Sequence, residues 1–114
     1  MASTVALAIR EDPRKTHRPV EALRIALGLA AGDNEITVIL IDDAARLLAE
    51  DRDDIIDVDI LEKYLPSLQH LGIPFLVVSH DGPTPDLEEG YAVTSTTMEA
   101  AQRCLAQADR ALVF

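Results

Sequence analysis

Tryptophan is missing from this sequence, and two Phe and two Tyr are the whole aromatic content of its 114 residues. Hydrophobic residues still make up 48% of the chain, so a core is expected and it has to be aliphatic, built from Leu, Ile, Val and Ala. A chain of this length corresponds to one domain, residues 1–114. Cysteine is nearly absent: Cys104 stands alone, which excludes an internal disulfide and cannot make a zinc site by itself. Positive charge is scarce as well. Lys plus Arg number 10 against 20 Asp plus Glu, for a net charge of -10 and a pI near 4.5. Such a surface repels phosphate backbones and anionic membranes, so neither nucleic acid nor a membrane is expected as a partner, whereas a basic protein is compatible with it. Long apolar runs are lacking too. The opening MASTVALAIRED has no basic n-region and an apolar run of only about seven residues, far short of a membrane span, so a soluble cytoplasmic protein is expected.

What is present alternates between two patterns. Residues 4–9, TVALAI, read as a buried strand that gives way to the polar loop 10–18, REDPRKTHR. Pro19 suits a first helical turn, Val20, Leu23, Leu27 and Ala30 recur at helical spacing, and Gly32 offers a stop. Ala22, Ile25 and Leu29 lie outside that stripe, which makes the helix apolar on more than one side and leaves a face for another subunit. Residues 35–41, EITVILI, read as a central parallel strand ended by Asp42 and Asp43, with a short helix through Ala44, Leu47 and Leu48.

Residues 50–59 hold six acids and read as an exposed turn anchored by Ile55 and Ile56. Asp59 is the expected cap of a helix that carries Pro66 and ends at Gly72. Residues 73–78, IPFLVV, form a third strand, and residues 91–94, YAVT, a weaker fourth. Residues 95–97 are expected to cap a last helix striped by Met98, Ala101, Leu105 and Ala108, before a final strand at 111–114. Strand and helix alternating in this way predict an α/β domain: a single, mostly parallel five-stranded sheet with helices on both faces.

In such a sheet ligands gather beyond the carboxyl ends of the strands. Three chemically rich segments are expected there: residues 10–17 with His17, the pair Asp42-Asp43, and Ser79-His80-Asp81. These six, His17, Asp42, Asp43, Ser79, His80 and Asp81, are the candidate ligand-binding residues. A serine, a histidine and an aspartate in a row do not make a hydrolase, because triad members come together from distant parts of a chain and no Gly-x-Ser-x-Gly elbow surrounds Ser79. The carboxylates and imidazoles would suit a divalent cation, yet their spacing matches no defined metal motif and no metal is assigned. A phosphorylated receiver would need a lysine near the fifth strand, and the only lysines are Lys15 and Lys63. Gly28 and Gly32 lie within and at the end of a helix instead of opening one, so no nucleotide or other cofactor is expected. Cys104, on the last helix beside Ala101 and Leu105, reads as a small buried hydrophobe.

The runs RPVEALRIALGLAAGDNEITVILIDDAARLLAED, LEKYLPSLQHLGIPFLVV and STTMEAAQRCLAQADRALVF together resemble the DsrE/DsrF/TusD-like family of small sulfur-relay proteins over nearly the whole chain. The resemblance implies a parallel α/β fold related to flavodoxin. It also implies assembly into homo-oligomers, trimers or hexamers, or into hetero-oligomers with related subunits. Catalytic members of the family carry a persulfide on a cysteine just after the third strand. Ser79 stands where that cysteine is expected, and an oxygen there carries no persulfide. The resemblance therefore implies a non-catalytic subunit or binding module of sulfur metabolism. A small metal-dependent or hydrolytic enzyme using His17, Asp42, Asp43, His80 and Asp81 is the alternative, and it requires those side chains to converge.

Overall fold

The computed structural model describes residues 3–80 and 86–114, and Asp81 therefore lies outside the described residues. Along the chain run β1 (Thr4–Ile9), α1 (Arg18–Ala31), β2 (Glu35–Ile41), a 3-10 segment (Asp42–Leu48), α2 (Val58–Leu71), β3 (Pro74–Val78), β4 (Ala92–Thr96), α3 (Met98–Gln107) and β5 (Arg110–Val113). The strands form one sheet in the order β4-β3-β2-β1-β5, and every neighbouring pair is parallel. The expected α/β class is thus the observed one.

Successive crossovers step from β1 to β4 in one direction, and the connection through α3 returns to lay β5 beside β1. Helices α1 and α2 consequently share one face of the sheet, while α3 has the other to itself. The side chains follow the two-residue alternation of strands. Val5, Leu7, Ile9, Val38, Leu40, Phe75 and Val77 build the main core with α1, α2 and the 3-10 segment, whereas Ala8, Ile39, Val78 and Ala101 make a small second core under α3. Because β1, β2 and β3 are covered on both faces, they read as nearly unbroken apolar runs. Both edges differ. No residue of β4 or β5 is fully buried, and all four of β5 are exposed.

Several local expectations are corrected by the packing. The extra apolar positions of α1 are not simply free: Ala22 is fully buried, and Ile25 and Leu29 pack partly against the main core, because α1 meets α2 as well as the sheet. Asp57, not Asp59, precedes α2, in a left-handed conformation (φ 63°) and without a side-chain cap. Gly72 ends that helix as expected, at φ 64°, its N–H reaching the carbonyls of Leu68 and Gln69. Ile55 is buried but Ile56 is exposed, so only one of the two anchors the acidic stretch. β4 continues through Ser95 and Thr96 because it pairs with β3 along its whole length; the cap of α3 is Thr97, whose hydroxyl accepts the Ala100 N–H at 3.1 Å. β5 begins at Arg110, one residue earlier than expected, where it comes into register with Val5.

The link from β3 to β4 contains no helix among its described residues. It is held over the α2 side by Glu88 N–H to Leu48 O (2.8 Å), Glu50 N–H to Asp86 O (2.9 Å) and an Arg52–Glu88 ion pair, and Tyr91 then meets Phe75 edge to face with ring centroids 6.0 Å apart.

Candidate functional site

The carboxyl ends of β1, β2 and β3 point to one rim, and the chain's polar residues meet there in two groups. The first joins β2 to β3. Asp42, the residue after β2, takes φ 53°, a left-handed conformation that aspartate tolerates better than most residues. This turn aims its carboxylate at the segment after β3: Oδ1 accepts the His80 backbone N–H at 3.0 Å, and both carboxylate oxygens lie 3.0 Å from His80 Nδ1. These bonds hold the Asp42 carboxyl below the usual carboxylate range, the His80 N–H contributing most and the His80 ring adding to it. A carboxylate only accepts, so the proton of a neutral His80 ring sits on Nδ1 and Nε2 is the ring's acceptor, with no partner among the described residues. Both side chains are about half exposed, at 46% and 51%.

The second group joins the loop after β1 to the 3-10 segment. Arg14 forks onto Asp12, with Nη2 to Oδ2 at 2.8 Å and Nε to Oδ1 at 3.0 Å, and this hydrogen bonding depresses the Asp12 pKa. Asp43 pairs instead with Arg14 Nη2 (3.9 Å) and Arg46 Nε (3.6 Å).

The candidates therefore divide. Asp42 and His80 come together. Asp43 instead joins an arginine network that spacing alone did not single out; the only sequence signal for it is Asp-Pro-Arg, whose tight turn lets Asp12 and Arg14 pair two residues apart. His17 is exposed at the start of α1, and its side chain forms no hydrogen bond among the described residues. Ser79 is exposed one residue past β3, beside His80 in sequence, with no side-chain hydrogen bond among the described residues. Among the described residues no three His, Cys, Asp or Glu side chains are grouped to hold a metal ion.

Cys104 is corrected more sharply. It is half-buried rather than buried, and it lines a groove of about 480 Å³ with Thr4, Ala6, Glu35, Thr37 and Arg103. Thr4 and Glu35 are the first residues of β1 and β2, so this groove opens at the amino edge of the sheet, the end opposite Ser79 and His80. A second groove, of about 430 Å³, opens at the same edge near Ile36, Thr37 and Pro74.

No family model matches the chain, and no curated protein matches it either. Among solved structures the crystal structure of the ychN protein from E. coli superimposes on all of it, over the whole length of both chains, with a TM-score of 0.73 and 18% identity. The chain is similar in fold to ychN. The likeness is one of fold, and the parallel five-stranded α/β fold expected from the sequence is the one observed. Among the described residues, no helix is long and apolar enough to cross a membrane.

Proposed function

We propose that this chain is a DsrE-like subunit of intracellular sulfur metabolism. In this reading it works by assembling, with copies of itself or with related subunits, and by binding a partner or small ligand at the strand-end rim, without carrying a persulfide of its own. The observation that carries the reading is the position of Ser79: exposed, one residue past β3, at the rim where this fold gathers ligands. A hydroxyl there is protonated at neutral pH and forms no stable bond to sulfane sulfur. Cys104 is no substitute, since it sits in the body of α3 at the other edge of the sheet. A basic protein is the partner best matched by charge. Glu50, Asp51, Asp53, Asp54, Asp57 and Asp59 are all exposed between the 3-10 segment and the first turn of α2, and binding there weakens with added salt.

Incubation with a polysulfide donor followed by alkylation and intact-mass analysis tests the reading. The wild-type chain is expected to gain no sulfane adduct that passes to an acceptor thiol, while Ser79→Cys gains one. Transfer of sulfur from Cys104 of the wild type would overturn it.

The Asp42–His80 contact favours a second reading, a small metal-dependent or hydrolytic enzyme, because an imidazole oriented by a carboxylate through Nδ1 presents Nε2 as an acceptor suited to proton abstraction or metal ligation. Calorimetric titration with zinc and manganese distinguishes the two: saturable binding that His80→Ala abolishes supports the second reading and its absence in the wild type removes the metal-dependent form.

A further inference from the structure

The two edges of the sheet are chemically unlike. β4 presents Thr94, Ser95 and Thr96, the polar surface expected of a protected edge. β5 presents Ala111, Leu112 and Val113, with Leu112 36% and Val113 53% exposed, a short apolar edge with no charge along its middle. Its backbone direction is fixed by its pairing. Phe114 both donates to Ala8 O (2.8 Å) and accepts from Arg10 N–H (2.9 Å), so its polar groups face β1. In a strand this alternates, which turns the N–H and C=O of Leu112 inward as well and those of Ala111 and Val113 outward. The register places Leu112 beside Leu7, on the α1 side of the sheet, where it borders a groove of about 290 Å³ lined also by Val5, Leu29 and Arg110.

We propose that β5 pairs antiparallel with β5 of a second copy, about a two-fold axis through Leu112, to make one continuous sheet. This rests on the assembly reading above and names the surface it uses. Self-pairing follows from the outward groups. With Leu112 opposite Leu112 of the second copy, each Ala111 faces a Val113, and each of those pairs exchanges both N–H···O bonds. The same register sets Arg110 across from Phe114 of the second copy on the α1 side, a cation over an aromatic ring. Any other two-fold register leaves Ala111 or Val113 without its doubly bonded partner. A second copy is also the occupant the charges permit. The chain as a whole carries -10, yet over residues 98–114 Glu99 and Asp109 are balanced by Arg103 and Arg110, so two acidic molecules meet here with little repulsion. A standard interface takes about 800 Å² from each partner, roughly an eighth of this chain's 6507 Å² surface. A four-residue strand falls short of that, so the Leu29–Leu112 groove has to close as well and the contact is reversible.

The test is the solution mass of the full chain at concentrations on the order of 100 μM, where interfaces near the standard size are populated. The wild type is expected at a multiple of 12.4 kDa. Leu112→Lys is expected to lower that mass by half or more with its circular dichroism unchanged, and mixing it with Leu112→Asp to restore it. Leu112→Cys in a Cys104→Ala background is expected to cross-link on oxidation, because the Cα atoms of such a non-bonded pair lie about 4.5 Å apart, while Ala111→Cys in the same background is not. A monomeric wild type would overturn both this proposal and the assembly reading. A wild-type oligomer that Leu112→Lys leaves intact, or a Leu112→Cys chain that does not cross-link, would overturn the β5 surface alone.

Discussion

Replacing Asp42 with asparagine, glycine and alanine separates the three things this residue does: it adopts φ 53°, it accepts the His80 N–H, and it holds the His80 ring. Asparagine keeps an acceptor oxygen and tolerates the left-handed conformation, so it loses mainly the charge. The contact lies in solvent, where charge contributes little, so exchanging a charged for a neutral acceptor is expected to cost about 0.5 kcal/mol. Glycine removes both contacts with His80 but meets no steric penalty at positive φ, for a loss of about 1.5 kcal/mol, at the low end for hydrogen bonds to a charged group because solvent reaches the pair. Alanine loses the same contacts and adds the left-handed cost of about 1 kcal/mol, reaching about 2.5 kcal/mol. Urea unfolding at neutral pH reads all three. The sign of the pH dependence follows from the lowered Asp42 pKa. A depressed carboxyl stabilises the fold fully above its unfolded value and loses that contribution as pH falls through the folded one, so the gap between wild type and Asp42→Asn is flat near neutrality and closes below about pH 4. Equal stabilities for the glycine and alanine variants would refute the conformational argument, and asparagine as costly as alanine would refute the assignment of the tether to geometry rather than charge.

Phe75 is completely buried and meets Tyr91 edge to face, so Phe75→Ala is expected to lose about 3–5 kcal/mol in chemical unfolding, a large part of the total for a small domain. In a double-mutant cycle with Tyr91→Leu the coupling should be about 0.5–1.5 kcal/mol, and a value near zero would show that the ring contact adds nothing beyond burial. Thr97→Ala removes the side-chain cap of α3 and should cost about 1 kcal/mol, whereas Thr97→Ser should recover most of it in the same thermal melt.

The class of fold, the number of strands and the position of most elements were legible in the sequence, because they depend on local quantities. A strand covered on both faces has to be apolar along its covered length, as TVALAI and EITVILI nearly are, and a helix that ends at a left-handed position favours a glycine such as Gly72. The convergence of three strand ends on one rim followed from parallel topology, and so did the nearness of Asp42 to His80. Spacing carried no information about direction. Asp42 and Asp43 are neighbours, yet the left-handed turn at Asp42 sends one carboxylate to His80 and leaves the other to Arg14 and Arg46. Helical periodicity placed Cys104 beside the α3 stripe, but only the packing decided that Thr4, Ala6 and Thr37 lie beside it and leave the thiol at the wall of a groove. In the same way, ALVF read as a strand whichever neighbours it had. Its place as an outer strand, with Leu112 and Val113 exposed, was settled by the crossover through α3 that returns the chain to the far side of β1, a choice of long-range pairing that no local pattern encodes.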